Sequence, residues 1–322
     1  MPVLSQDDNN QHSESSKLNT ATTNNPLVRK LVERVAHPII LSTAMGFWWW
    51  LDGNELAVIP ALALTLLLAS MLERWLPAQP EWHQSSNEKF NLAGLYLLTF
   101  LLVGVMSDAY GAVLQPALLP LRETLGKQIW PLHWPALLQG VMLFFAADFI
   151  YYWIHRAIHN SALMWRLSGH GFHHAFHNLH ALNVNATHPF EIVFLALPMM
   201  LLAAMFDAPG NAVSAAFVLL ACNANLAHAN VSMDTPILAW LFTHSNHHRR
   251  HHSMEFKTSN TNYACNTILW DRVFGTYSNA AVQQTGIGPI QPGIKAMFLL
   301  PFREPAQVDT IATRRRKSRH DT

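Results

Sequence analysis

The sequence predicts an all-α membrane protein: a polytopic bundle of about four transmembrane helices plus a helical hairpin, with a histidine-rich helical cap on the cytoplasmic side. Three observations support this class. Half of the 322 residues are hydrophobic, and only 13% are charged, whereas about a quarter of the residues in soluble domains are charged. In addition, 14 of the 19 histidines lie between His155 and His252.

Three apolar runs have about the length that a membrane helix needs, which is roughly 17–25 residues. The runs 56–72 and 92–106 carry no charge, and the run 136–154 carries only Asp148. A weaker run, 38–51, contains Trp48, Trp49 and Trp50, which resemble the aromatic belt at a membrane surface. We expect four helices from these runs.

Two further runs, 192–205 and 212–227, are separated by the turn residues of "FDAPGN" and predict a hairpin of two helices. Each run is short for a full span, so each could also be a buried helix of a large soluble core. Six such runs in one weakly charged chain favour the membrane.

Basic residues predict the orientation, because short loops rich in Lys and Arg stay in the cytoplasm. They precede the first run at Lys17, Arg29, Lys30 and Arg34, and "RRRKSR" closes the chain. Four crossings up to Ile154 and one hairpin then place both termini and both histidine-rich stretches on the cytoplasmic side. This count assigns the loop 108–135 to the outside.

The ends differ in composition from the centre. Residues 1–26 are polar and predict a disordered tail without a signal peptide, and residues 304–322 form a basic tail. Residues 27–303 are expected to form one membrane-embedded domain. Two cysteines, Cys222 and Cys265, exclude a disulfide framework or a thiolate metal site. The net charge of +1 says little, and we expect a lipid bilayer but no nucleic acid as a partner.

The histidines recur at the spacing of one helix face, where residues i, i+3 and i+4 are neighbours. Three groups show it: His155 with His159; His170 with His173 and His174; and the overlapping triplets formed by His244, His247, His248, His251 and His252. Imidazole is the commonest metal-binding side chain. Even with only one triplet of the last group counted, the three groups supply eight imidazoles, which exceed the needs of one ion. The pattern therefore predicts a two-metal site, although nitrogen ligands alone suit Zn, Cu, Fe or Ni.

The chain resembles the fatty acid hydroxylase/sterol desaturase superfamily of integral-membrane di-iron oxygenases. "HRAIH", "HGFHH" and "HRRHH" match the three histidine boxes of that family in order, and "DFIYYWIHRAIH", "THPFE", "LAHAN" and "NYACNTILWDRVFGT" match their flanks. The resemblance covers residues 148–276, and the N-terminal third matches only as generic membrane helices.

The resemblance implies metal ligands at His155, His159, His170, His173, His174, His248, His251 and His252, with His228 as an additional ligand and His188 as the weakest candidate. It leaves the roles of His177, His180, His244 and His247 open. Asp148, Glu191 and Asp271 are candidates for carboxylates that accept a hydrogen bond from an imidazole N–H and thereby fix its tautomer. Their alternative role is a helix cap or an ion pair.

The resemblance also implies a function: hydroxylation or desaturation of a fatty acyl, sterol or related lipid by two iron ions, which zinc can replace on overexpression. O2 and a separate electron carrier, cytochrome b5-like or ferredoxin-like with its reductase, are the expected partners. A carotenoid hydroxylase or acyl desaturase is the alternative within this class. A histidine-rich metal transporter or a membrane zinc hydrolase is a more distant one.

Overall fold

A computed structural model describes residues 25–82, 84–125, 130–282 and 284–303, and within these ranges the chain is built from helices and loops without a β-sheet. The helices in chain order are α1 Pro26–Trp50, α2 Val58–Trp75, α3 Ser86–Leu125, α4 Ala136–Asn160, α5 Ala162–Ser168, α6 Gly171–His174, α7 Pro189–Phe206, α8 Gly210–His228, α9 Ser245–His251, α10 Phe256–Ser259, α11 Leu269–Val273 and α12 Ile294–Phe298. The predicted all-α class is confirmed.

Five helices in the described ranges are long and apolar enough to cross a membrane: α2 with the short turn before it, α3, α4, α7 and α8. Each contains one of the predicted runs, including both arms of the predicted hairpin. The weaker run 38–51 is also helical as part of α1. However, α1 is not among the five, and Arg29, Lys30, Glu33 and Arg34 occupy its first third.

The predicted outside loop 108–135 is wrong over most of its length, because α3 continues without a break to Leu125. Its 40 residues span about 60 Å, about twice the thickness of a bilayer's hydrocarbon core. The second half of α3 lies along α7: Tyr110 donates to the carbonyl of Val193 at 2.9 Å, and Arg122 pairs with Asp207 at 3.1 Å. Pro116 and Pro120 lie inside this part of the helix.

At the centre of the bundle, α4 packs closely against α8. Gly140 makes the approach possible, since a Cβ atom there would lie 2.6 Å from the Cβ of Ala215 and 3.0 Å from the carbonyl oxygen of Ala212. Leu143 and Phe144 are fully buried one turn further along α4. The small residues of α8 therefore determine how near the two helices come.

The bundle has two distinct ends. At one end Trp48 donates from its indole nitrogen to Ser214 at 3.2 Å, close to the exposed rings of Trp49 and Trp50. At the other end Glu73, near the end of α2, accepts from the backbone of Ala181 at 2.7 Å and of Asn230 at 2.9 Å. Helices α4 and α8 also end there, so we call this the histidine end.

A cap of short helices, α5, α6 and α9 to α12, covers the histidine end. Phe172, Leu179 and Ile158 are almost fully buried within it. That the cap faces the cytoplasm stays a prediction. The predicted polar tail 1–26 and basic tail 304–322 lie outside the described residues, except that Asn25 caps α1 and Pro26 begins it.

Candidate metal centre

Four separate segments bring the histidines together at the histidine end. His155 and His159 lie in the last turns of α4, and His228 ends α8. Between them the chain turns back at Gly169, which has φ +68°, and a Cβ there would lie 2.6 Å from the Cβ of His188. This tight turn places the "HGFHH" segment against α4. The third box, "HRRHH", lies in the second half of α9 and at its C-cap.

The histidines form two groups, in each of which the nitrogen atoms that face one another lie within 4.8 Å. The five-histidine group contains His155, His159, His170, His174 and His251, and the four-histidine group contains His173, His228, His248 and His252. Eight of the nine are buried, and His173 is partly buried. Adjacent residues such as His173 and His174 serve different groups, because neighbours on a helix point about 100° apart.

The hydrogen bonds of the five-histidine group leave lone pairs facing each other. His155 Nδ1 lies 2.6 Å from the carbonyl oxygen of Tyr263, and His170 Nδ1 lies 2.6 Å from Glu191 Oε1. A neutral imidazole has a single N–H, so both Nε2 atoms are unprotonated when the Nδ1 atoms donate. Those two Nε2 atoms are nevertheless only 2.9 Å apart. A cation between them resolves this contact, so the residues fit a metal ion.

The four-histidine group shows the same arrangement. His228 Nδ1 lies 3.2 Å from Asn183 Oδ1, and its Nε2 faces His248 Nε2 at 2.9 Å. His252 Nε2 approaches the same His248 nitrogen at 3.1 Å. One N–H cannot serve both contacts, and four imidazole nitrogens around one point are a donor set that suits Zn, Cu or Fe.

Burial keeps these imidazoles in the state that metals require. It lowers the pKa of His173 to about 4, and it lowers the pKa of His174, His248, His251 and His252 well below the usual value, with neighbouring imidazoles lowering it further. Metal binding needs neutral imidazole. These side chains are therefore ready to bind at neutral pH without releasing a proton.

A cavity of about 590 Å³ lies beneath the histidines, between α2, α3, α4, α7 and α8. His170, His173, His228 and His248 form part of its wall at one end. Away from that end it is lined mainly by apolar side chains, among them Leu62, Phe100, Val103, Leu195, Met199 and Phe217. An apolar compartment of this size adjoining polar groups has the character of a ligand site.

The sequence comparisons agree with this geometry. A family model described as fatty acid hydroxylase matches residues 140–276. Ornithine lipid hydroxylase OlsE of Rhizobium tropici is 30% identical over 265 residues, which are 77% of this chain and 76% of that protein. The chain belongs to the fatty acid hydroxylase family.

Other relatives match a shorter region. Alkylglycerol monooxygenase of Danio rerio is 31% identical over 46% of this chain and 32% of its own length. Very-long-chain aldehyde decarbonylase GL1-11 of Oryza sativa subsp. indica is 29% identical over 46% of this chain and 57% of its own length. No solved structure matches the chain.

In this member of the fatty acid hydroxylase family, Glu191 contacts an imidazole directly. The carboxylate lies in the first turn of α7 and is 2% exposed. Its Oε1 atom accepts from His170 Nδ1, and its Oε2 atom accepts a short hydrogen bond from the hydroxyl of Thr187. The Tyr151 hydroxyl lies 3.5 Å from Oε1. Glu191 thereby fixes which nitrogen of His170 faces the other histidines.

The other two candidate carboxylates contact backbone amides instead of an imidazole, which corrects the role predicted for them. Asp148 accepts from the N–H groups of Asn266 at 3.1 Å and Thr267 at 2.8 Å. Seven residues place Asp148 on the helix face of His155 but about 10 Å lower along α4. At that depth it meets the loop that follows α10.

Asp271 acts on the same loop from the other side. It accepts from the N–H groups of Tyr263 at 2.8 Å and Ala264 at 2.9 Å, and from the Thr276 hydroxyl at 2.6 Å. Since the Tyr263 carbonyl contacts His155, the Asp271 carboxylate supports that imidazole through the backbone. Burial raises the pKa of Asp271 to about 6.

His188 lies outside both groups, contrary to the weak prediction that it is a ligand. It caps α7, and its Nδ1 atom accepts from the N–H of Phe190 at 3.1 Å. The four histidines left open also lie outside the groups. His177 contacts the carbonyl of Gly288, His180 precedes a short 3-10 turn, His244 packs on His37, and His247 accepts from the backbone of His244.

The sequence did not reveal the groups that hydrogen-bond to the outward-facing nitrogens of the imidazoles or to Glu191. These are the carbonyls of Tyr263 and Thr261, the side chain of Asn183 and the hydroxyl of Thr187. Backbone carbonyls carry no signal in residue type. Thr187 could have been noticed, because it is the first residue of the matched "THPFE" segment.

Proposed function

We propose that this protein is a membrane-bound di-iron oxygenase that uses O2 and external electrons to hydroxylate a lipid. The observation that carries the proposal is the position of two imidazole groups at the end of one apolar cavity inside a bundle of membrane-spanning helices. Family membership supports it, since the relative that matches 77% of this chain is named a lipid hydroxylase and another that matches 46% is named a monooxygenase.

In this proposal the five-histidine group holds one iron ion and the four-histidine group holds the other. Bound iron supplies the capacity to activate O2 and to oxidise an unactivated C–H bond. The chain's own residues fix the tautomers of two imidazoles. Glu191 keeps the proton of His170 on Nδ1, and the Tyr263 carbonyl does the same for His155. In metal sites generally, hydrogen bonds to the far side of each ligand fix its orientation.

The reaction determines what else must be supplied. In hydroxylation one oxygen atom of O2 enters the C–H bond, and the other leaves as water after two electrons and two protons have been added. Cys222 is fully buried among helices and Cys265 lies beside His155, so these two thiols do not form a redox disulfide or hold a cluster. We therefore propose that a separate carrier protein delivers the electrons.

The lipid class follows from the cavity. Apolar lining excludes water and favours a hydrocarbon part of the substrate, and the surrounding helices face the bilayer, from which a lipid can enter sideways. The named relatives act on an ornithine lipid, an alkylglycerol and a very-long-chain aldehyde. Each of these compounds joins a polar group to an apolar portion, and we propose a substrate of this kind.

The test is product analysis in cells that lack a similar enzyme. We expect expression of the protein to add an oxygen atom to one class of membrane lipid, and growth under isotopically labelled O2 to label that atom. A His170→Ala variant at equal protein level should yield no product. A new double bond without oxygen would indicate a desaturase, while unchanged lipids together with histidine-dependent metal uptake would indicate the transporter instead.

A further inference from the structure

Helix α8 forms one continuous wall of the cavity. Beyond its first two residues it is buried, apart from five partly exposed side chains: Val213, Phe217, Leu220, Ala221 and Ala224. All five line the cavity. Their spacing of three and four residues places them in one stripe along the helix, and every one of them is apolar.

The stripe has a definite length and direction. From Val213 to Ala224 it extends about 16 Å, and from Val213 to His228 about 22 Å. The His228 end belongs to the metal centre, and the Val213 end lies near the exposed Trp49 and Trp50 at the opposite end of the bundle. The cavity therefore follows the membrane normal from one surface region towards the other.

The two ends of the cavity differ in what they offer a ligand. Near the histidines its wall includes Asn185, Thr187 and Asn266. At the far end the Ser214 hydroxyl is already engaged, by the Trp48 indole at 3.2 Å and the Gly53 carbonyl at 3.3 Å. Away from the histidines the wall also includes the carboxylates of Glu55 and Asp108 and the hydroxyl of Ser107. Carboxylates accept hydrogen bonds without donating them, so a carboxyl or ester headgroup finds its amide and hydroxyl donors mainly at the histidine end.

We propose that the cavity binds a single extended hydrocarbon chain along α8, with the polar end of the lipid at the histidines and the methyl end at Val213. The reacting carbon then lies in or close to the polar end of the lipid. Val213 and its neighbours limit chain length. This inference rests on the proposed function for its chemistry, but the binding mode itself does not require metal or turnover.

Photo-crosslinking tests the orientation on iron-depleted, purified protein in lipid nanodiscs. Two isomeric saturated fatty acids serve as probes, one with a diazirine beside its methyl end and one with a diazirine beside its carboxyl end. We expect the methyl-end probe to label peptides around Val213 and Phe217, and the carboxyl-end probe to label the region of Ala224 to His228 or of Asn185 and Thr187. Labelling in the reverse order would overturn the proposal.

Two substitutions test the length limit. Val213→Trp fills the far end of the cavity and should move preference towards shorter chains, with about a fourfold loss of probe affinity for each methylene that no longer fits. Ala109→Trp is the matched control, since Ala109 is exposed and lies on the face of α3 away from the cavity. Equal labelling of both variants over a series of chain lengths would contradict the proposal.

These outcomes are separable from those of the proposed function. In one outcome the probes label in the expected order, and Val213→Trp changes that labelling, while no oxidised lipid forms. This result would support the binding mode and reject the oxygenase. Oxidised product together with reversed or unordered labelling would do the opposite. In each case folded protein is verified by its elution from a size-exclusion column.

Discussion

His170 uses both of its ring nitrogens, and this explains much of the site. Nδ1 faces the buried carboxylate of Glu191, while Nε2 lies within 3.0 Å of the Nε2 atoms of His155 and His159. Three nitrogens at such distances in a buried site require a positive charge between them or a proton on one of them. Burial opposes a protonated imidazole, so a metal ion is the better solution.

The choice between neighbouring histidines can be tested directly. His173→Ala removes a member of the four-histidine group, whereas His247→Ala removes a histidine outside both groups, whose hydrogen bonds are to the backbone of His244 and Phe242. We expect His173→Ala to lose bound metal and to reduce activity by more than the roughly 10–100-fold that loss of an outer-shell partner costs. His247→Ala should keep its metal and a substantial part of its activity.

Metal content and specific activity of the two variants, measured on folded detergent-purified protein, provide the readout. Equal losses in both would show that the wrong histidines were assigned to the site.

At this scale the sequence was informative about the imidazoles but much less so about what supports them. Spacing on helix faces selected eight of the nine grouped histidines, because i, i+3 and i+4 residues share a face wherever the helix lies, and the family resemblance added His228. The acceptor for His155 is a backbone carbonyl from a residue more than a hundred positions away. Asp148 was assigned to an imidazole because it lies on the same face of α4 as His155. The distance of about 10 Å between the two residues along the helix axis was not taken into account.

At the level of secondary-structure elements, the carboxylates of Asp148 and Asp271 fix the position of the loop from Tyr263 to Thr267 by accepting from its backbone N–H groups. Asp271 has a folded-state pKa of about 6, above its unfolded value of about 3.9. The native state therefore binds more protons between these values, and the contribution of Asp271 to stability falls as pH rises from about 4 to about 6. Above pH 6 this contribution is constant.

Asp271→Asn should remove that pH dependence and also weaken the loop. The amide has one acceptor oxygen where the carboxylate has two, and its NH2 group would face a backbone N–H. We expect a loss of roughly 1–3 kcal/mol in the free energy of unfolding and reduced metal retention. Thermal unfolding of the variant across pH 4 to 7 checks this, and a curve parallel to wild type would show that Asp271 is not the titrating group.

The contact between α4 and α8 is the second element-level feature. Gly140→Ala places a methyl group against Ala215 and the backbone of Ala212, neither of which can move independently of its helix. We expect overpacking to cost about 1–3 kcal/mol. Gly46→Ala is the control, because no heavy atom lies within 4 Å of the added carbon and alanine is favoured in helices by about 0.5–1 kcal/mol.

Melting temperatures of the two glycine variants should therefore move in opposite directions. A Gly140→Ala protein as stable as wild type would mean that the two helices are further apart than described.

The sequence predicted which segments are helical, but it did not predict where each helix ends. Uncharged runs of about 15 to 20 residues are recognisable wherever they occur, so the cores of five membrane helices were found. The count of membrane crossings assigned residues 108–135 to a loop, yet the structure keeps α3 helical through Asp108, Pro116 and Pro120, because packing along α7 compensates for local preference.

On the scale of the whole molecule, helices long enough to cross a membrane bring two groups of histidines together at one end and enclose an apolar cavity between them. Helices α4 and α8 each contribute histidines at that end and part of the cavity wall. The cap closes over the histidines and excludes water from them. Neither part works alone, since the boxes converge only when the bundle fixes the spacing of α4, α6 and α8.

We expect each of the two imidazole groups to hold one metal ion. Elemental analysis of the purified, folded protein measures this when it is combined with one substitution in each group. We predict two ions per chain in the wild type, and one in both His159→Ala and His228→Ala, each of which removes a member of a different group. One ion or none in the wild type, or complete loss of metal from only one of the variants, would contradict the account.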